Sequence, residues 1–316
     1  MDVLVKVIST SSGLIGATGV FTNSLSLSYF IGGTEKSLSS QLFVLLNMFD
    51  LLVCTSDVLS VAFLFCNGFG CGPYNFPFRL SFALFDLSIE STAFATCLLG
   101  VVRVISVRFP FHHINKRTVA VIAATFLGQE IFRASARFYF FYKDVSKLGF
   151  YIEFDNALMI VLLTLFVLIN SISSILLAWE LLTKTDREDD STVNQESVTA
   201  SNRRATVTVL ILSVFFLFFN TIFGLCLYLE IFIENSEEVN LNDPVRLLSL
   251  FTLWLAIPLN STLNPLIYFL RRRRMRQHVQ ELPGRILRRV TRQQSARRSV
   301  RAPTSTTEMR TVGRRE

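Results

Sequence analysis

Charge is scarce in this chain. Only 17% of its 316 residues are Asp, Glu, Lys or Arg, where a soluble domain carries about 25%. That excludes a soluble domain of any size as the main body. Histidine is rarer still. His112 and His113 are adjacent and His278 stands far downstream, so no cluster with metal-ligand spacing forms. No serine or cysteine sits beside a plausible base, which removes the usual footing for a nucleophilic enzyme. Paired internal repeats, common in transporters, are also missing. Cysteine occurs five times. Cys54, Cys97 and Cys226 fall in apolar runs and read as small fillers. Cys66 and Cys71 either pair or stay free, and spacing alone leaves both open.

What the chain has is apolar length. It is 51% hydrophobic, with 30 Phe, and a run of about 20 apolar residues spans a bilayer as a helix. Seven such runs occur, at 13–31, 38–65, 80–104, 118–141, 157–182, 205–233 and 245–270. Asp86 and Glu90 interrupt the third, and Glu130, Arg133 and Arg137 the fourth. The first run lacks a basic leading region and six more follow, so it reads as a span and not a signal peptide. The expectation is an all-α protein, a seven-transmembrane helix bundle over 13–270.

The charges are lopsided. The stretch 271–316 holds 15 Arg and 3 Glu, a net of +12, against +7 for the whole chain. Everything before it therefore sums to −5. Arg103, Arg108, Lys116 and Arg117 flank the third connection, and Arg203 and Arg204 precede the sixth run. Glu234, Glu237, Glu238 and Asp243 fill the last connection. Positive charge marks the cytoplasmic side. The expected topology is a multi-pass protein of the cell membrane, with residues 1–12 extracellular and the C-terminus cytoplasmic. A basic stretch following seven spans reads either as an ordinary disordered tail that serves as a topology signal or as one that meets anionic inner-leaflet lipids, at about 1 kcal/mol per Arg near the surface; nucleic acid is not the expected partner. Phosphate on Ser295, Ser299 or the run 304–307 would weaken that contact.

Polar residues inside apolar runs are costly and face the bundle interior. Asn23, Asp50, Thr92, Asn260, Ser261 and Asn264 are of this kind. One carboxylate among hydroxyl and amide oxygens reads either as a hard-cation site or as a packing network. Pro265 removes a backbone bond in the last run, and Ser261 or a water would take up the freed carbonyl. Arg103 closes the third run, where it snorkels to the interface or meets a neighbouring helix or a cytoplasmic partner. Pro110 marks the turn that follows.

These residues resemble the rhodopsin-like G protein-coupled receptor family. NSTLNPLIY, 260–268, is similar to its seventh-helix N-S-x-x-N-P-x-x-Y. Asn23 and Asp50 match its first- and second-helix positions. Arg103 matches its third-helix arginine, with Pro110 seven residues on. The resemblance implies that Arg103, Pro110, Phe219, Asn264, Pro265 and Tyr268 serve G protein coupling and activation. It also implies a sodium pocket of Asp50, Thr92, Asn260, Ser261 and Asn264, with Asn23 beside it and Asp50 holding the Na+, and no other cofactor. An amphipathic eighth helix over 271–282 and a basic disordered tail over 283–316 complete the pattern.

The departures are specific. Val102 and Val104 flank Arg103, and Ser201 stands where an acidic partner is common, so the resemblance implies a looser resting state. The Cys-Trp-x-Pro motif becomes Phe218-Phe219-Asn220-Thr221. Phe219 reads as the toggle aromatic or as one more core Phe. Phe78 occupies the usual third-helix cysteine position, and the connection 142–155 has no cysteine, so the common disulfide is absent.

A short N-terminus suits a small molecule or short peptide entering the bundle. Phe85 falls where amine-binding members carry Asp, and Asp86 is its neighbour. Phe85, Asp86 and Glu90 are the candidate ligand pocket, Asp86 and Glu90 sharing a face. Glu130, Arg133 and Arg137 read first as an ion-pair network joining helices. The aromatic run 138–142 is either an interface belt or a pocket lid. Expected partners are a heterotrimeric G protein, with arrestin and a receptor kinase at the Ser/Thr-containing tail. The one strict glycosylation triplet, at Asn260, lies in a span and is expected to be bare. The rival functions are transport of a small solute or ion, and a receptor-like protein that no longer couples.

Overall fold

Long apolar stretches without proline favour uninterrupted helices, because a helix satisfies every backbone donor and acceptor within itself. The computed structural model describes residues 2–32, 37–65, 76–109, 114–143, 145–185, 193–234, 252–281 and 284, and among them every regular element is helical. The order is α1 (Asp2–Gly32), α2 (Leu38–Phe65), α3 (Phe76–Arg108), α4 (Lys116–Lys143), α5 (Val145–Thr185) and α6 (Val193–Glu234). A π-helical turn, Thr252–Ala256, then leads into α7 (Ile257–Arg271).

Among the described residues, six helices are long and apolar enough to cross a membrane. Their apolar stretches are Lys6–Gly32, Leu38–Phe63, Ala83–Arg108, Lys116–Ala136, Ala157–Thr183 and Arg203–Cys226. The chain is therefore a multi-pass membrane protein by its helices. The run 245–270 is described only from residue 252.

Several helices outrun the apolar stretches that predict them. Helix α1 begins at Asp2, before residue 13, and α5 begins at Val145, inside the expected connection 142–155. Residues 183–204 likewise hold the end of α5 and the start of α6. No proline occurs between Pro110 and Pro244, so nothing there forces the helical ladder to stop.

Helix α3 is the centre. It packs on α2, α4, α5 and α6, while α1 and α2 both pack on α7 and α6 closes against α7. Burial agrees: 72% of the α3 span is covered, against 17% for α4. Small residues permit a close approach between α1 and α2. A Cβ on Gly16 would lie 2.6 Å from Asp57 Oδ2, and one on Gly19 would run into Cys54 Sγ. Exposed hydroxyls on the outer faces bond back to their own helix. Thr18 donates to the Leu14 carbonyl at 2.9 Å and Thr164 to the Ile160 carbonyl at 2.7 Å, which hides them from an apolar surround.

Residues 2–272 form one compact unit with residue 1, and 273–316 a second. In the second, residues 273–281 are helical.

Candidate functional site

Pro258 and Pro265 set the shape of the last helix. Pro258 lies in the first turn of α7 and Pro265 inside it. Proline cannot donate to the carbonyl four residues back and crowds it, and the wider π turn ends just before Pro258. Pro265 leaves the Ser261 carbonyl without its helical donor. Asn23 of α1 supplies one: its Nδ2 donates to Ser261 O at 3.1 Å, and to Gly19 O at 3.0 Å. The residue that answers the proline comes from the first helix, not from Ser261 itself. Replacing Asn23 by Leu strands a buried carbonyl, so a loss of about 1–3 kcal/mol is expected. Thermal unfolding of the purified protein measures it; an unchanged midpoint would remove this role.

One residue before the proline, Asn264 turns to α2. Its Nδ2 donates to Asp50 Oδ2 at 2.8 Å, and Thr92 of α3 donates to Oδ1 at 3.5 Å. The Ser261 hydroxyl also neighbours this carboxylate but closes no hydrogen bond. Asp50 and Asn23 are fully buried. Asn23, Asp50, Thr92, Ser261 and Asn264 thus meet, joining α1, α2, α3 and α7. Beside them lies a cavity of about 10 Å³, lined in part by Thr92, Phe219, Asn220, Asn260 and Ser261. That is room for about one water-sized body. Asn260 Oδ1 and Ser261 Oγ are buried there without a partner. Oxygen donors around a single nearby carboxylate fit a small hard cation.

Tyr268 is fully buried, its ring edge-on to Phe30 and Phe43 with centroids 5.7 and 5.0 Å away. The Arg272 guanidinium sits 4.8 Å over the Phe43 ring, a cation–π contact. Aromatic packing, not its hydroxyl, therefore anchors Tyr268.

At the same end of the helices Arg103 is 8% exposed and does not snorkel out. Its Nε donates to Thr206 Oγ1 of α6 at 3.1 Å. Arg271 of α7 reaches α6 in the same way, through Thr208 at 3.1 Å. Two threonine hydroxyls thus accept from arginines of α3 and α7. Pro110 and the Ser201 side chain lie outside the described residues, as do Cys66 and Cys71.

The candidate ligand set divides. Phe85 joins an apolar cluster with Val53, Ile89, Leu163, Phe223 and Ile257. Asp86 and Glu90 instead line a small cavity toward α4 with Glu130 and Arg133. Arg133 donates to Glu90 at 2.5 Å and to both Glu130 oxygens at 3.2 Å. The ion-pair reading of these charges describes this contact between α3 and α4. The side chain of Arg137 lies outside the described residues, as do those of Phe138, Phe140, Phe141 and Tyr142.

Four further buried polar residues, Asp57, Asn170, Ser213 and Asn220, lie outside the candidate sites read from the sequence. Asp57 accepts from Ser12 of α1 at 2.6 Å. Asn170 of α5 and Ser213 of α6 exchange hydrogen bonds at 3.2 and 3.1 Å. Asn220 lines the cavity beside Asp50. The available signal was a polar residue inside an apolar run, the same one that singled out Asn23 and Asp50. No protein-family model matches this chain, and no curated protein matches it significantly.

Proposed function

We propose that the protein is a receptor of the rhodopsin-like, G protein-coupled kind, with seven membrane-crossing helices and an amphipathic eighth helix. An extracellular small molecule or short peptide is its ligand, and a heterotrimeric G protein its partner. The observation that carries this reading is the polar junction on the proline-interrupted helix. Five of the six residues that the family resemblance names together, Asn23, Asp50, Thr92, Ser261 and Asn264, meet around α7.

The geometry suits a two-state device. Helix α7 lacks a backbone bond at Pro265, so its internal ladder resists rearrangement less than an unbroken one. Arg103 is held to α6 through a neutral hydroxyl, and such a hydrogen bond is weaker than one to a carboxylate. A ligand that favours one arrangement shifts α6 and α7, releases Arg103 and opens a cleft for the G protein. It shifts nothing unless it binds the two arrangements unequally. The Asp50 cavity takes Na+ as an allosteric ion. The basic tail meets anionic inner-leaflet lipids and, once phosphorylated, arrestin.

The test is nucleotide exchange on a panel of G proteins, without ligand, in membranes carrying wild type or Arg103→Ala. Basal exchange is expected with wild type, falling about tenfold or more in the variant, or at least about 1.4 kcal/mol in coupling. Equal, measurable exchange from both proteins would reject Arg103 as the coupling residue.

A further inference from the structure

The cavity beside Asp50 receives a polar side chain from α6 as well as from α3 and α7. Asn220 lines it together with Thr92, Asn260 and Ser261. The Asn220 side-chain nitrogen donates to the Phe216 carbonyl at 2.9 Å, one turn back on its own helix. That bond fixes the amide nitrogen, and Oδ1 remains as an acceptor. Asn260 and Ser261 are 6% and 1% exposed, and their side-chain oxygens have no donor. Thr92, Asn220, Asn260 and Ser261 thus put four polar side chains on the lining of a water-sized space. The nearby carboxyl is that of Asp50, 3.5 Å from the Thr92 hydroxyl. Neutral oxygens with one carboxylate behind them suit a monovalent cation. A divalent ion draws on more carboxylates.

We propose that Asn220 is the α6 ligand of a monovalent cation in this cavity, so that the ion clamps α6 to α3 and α7. The proposal rests on the sodium-pocket reading and deepens it, because Asn220 lies outside the set which that reading names. An outward movement of α6 withdraws one ligand and loosens the ion. By linkage, the bound ion favours the closed arrangement to the same extent.

Thermal unfolding of the full-length protein in lipid nanodiscs tests this. NaCl is titrated against choline chloride at constant ionic strength. The wild-type midpoint is expected to rise with Na+, since a ligand of the folded state stabilises it, and Asp50→Asn to abolish the response. Asn220→Leu keeps the side-chain size but removes the oxygen. It is expected to raise the half-saturating Na+ concentration by about tenfold or more. Asn220→Asp adds a charge at the same place and is expected to lower it. If Asp50→Asn is flat while both Asn220 variants titrate like wild type, the α6 ligand is overturned and the sodium pocket stands. A wild type that ignores Na+ overturns both. Should Asn220→Leu fail to fold, the Asn220→Asp titration decides alone.

Discussion

Arg133→Leu is expected to destabilise the helical unit by about 3–5 kcal/mol, the usual cost of stranding a buried charge. Arg133 is the cation between Glu90 of α3 and Glu130 of α4, and all three side chains are buried. Removing it leaves two carboxylates facing each other without their shared donor. The contrast is the triple replacement Arg133→Leu, Glu90→Leu and Glu130→Leu. It removes the charges together and is expected to recover most of the loss, because an apolar trio of similar volume suits this environment as well. Unfolding midpoints of the three proteins measure the effect. A single variant as stable as wild type would show that the triad does not hold α3 to α4.

Gly19→Leu is also expected to be strongly damaging, for a steric reason. Even the first carbon of a side chain there would collide with Cys54 Sγ and lie 2.5 Å from Thr262 Oγ1, far inside contact distance. Helix α1 must move off α2 and α7, and overpacking of this kind costs about 1–3 kcal/mol or more. The same movement pulls Asn23 away from the Ser261 carbonyl, so the loss compounds. Gly128→Ala is the control. It lies within α4 with nothing near its missing Cβ, and alanine is favoured over glycine in a helix by about 0.8–1 kcal/mol. Gly19→Leu is expected to lower the unfolding midpoint sharply and Gly128→Ala to leave or raise it. Equal midpoints in wild type and Gly19→Leu would mean that α1 does not need this close approach.

These two contacts frame the candidate site. Close approach at Gly19 brings Asn23 to α7, and α3, braced on α4 through Arg133, carries Thr92 to Asp50. If the reading as a receptor holds, both variants also weaken ligand response without touching the ligand, because they move the helices that the polar junction joins.

Much of this was legible in the chain. Apolar runs near 20 residues long require helices, since only a helix satisfies its own backbone in a medium without water. Asp50, Asn23 and Thr92 stood out because a polar side chain in such a run needs a partner. Helix ends were less legible. Residues 2–12 and 145–156 are helical although polar residues interrupt them, because no proline or competing partner stops the ladder. Asp57 and Asn220 carry the same signal as Asp50 but are not among the residues that the resemblance assigns to the sodium pocket.

By itself, the sequence determined which segments are helices, that most of them are apolar enough for a membrane, and which side chains are costly there. Each of those follows from composition over a short window. Only the tertiary structure decided that Asn23 answers Pro265, that Arg103 finds Thr206, and that Phe85 parts from Asp86 and Glu90. Those outcomes depend on how each helix is turned about its axis. Rotation is set by contacts between distant segments, such as glycine against cysteine at Gly19 and arginine against two glutamates at Arg133, and no local pattern encodes it.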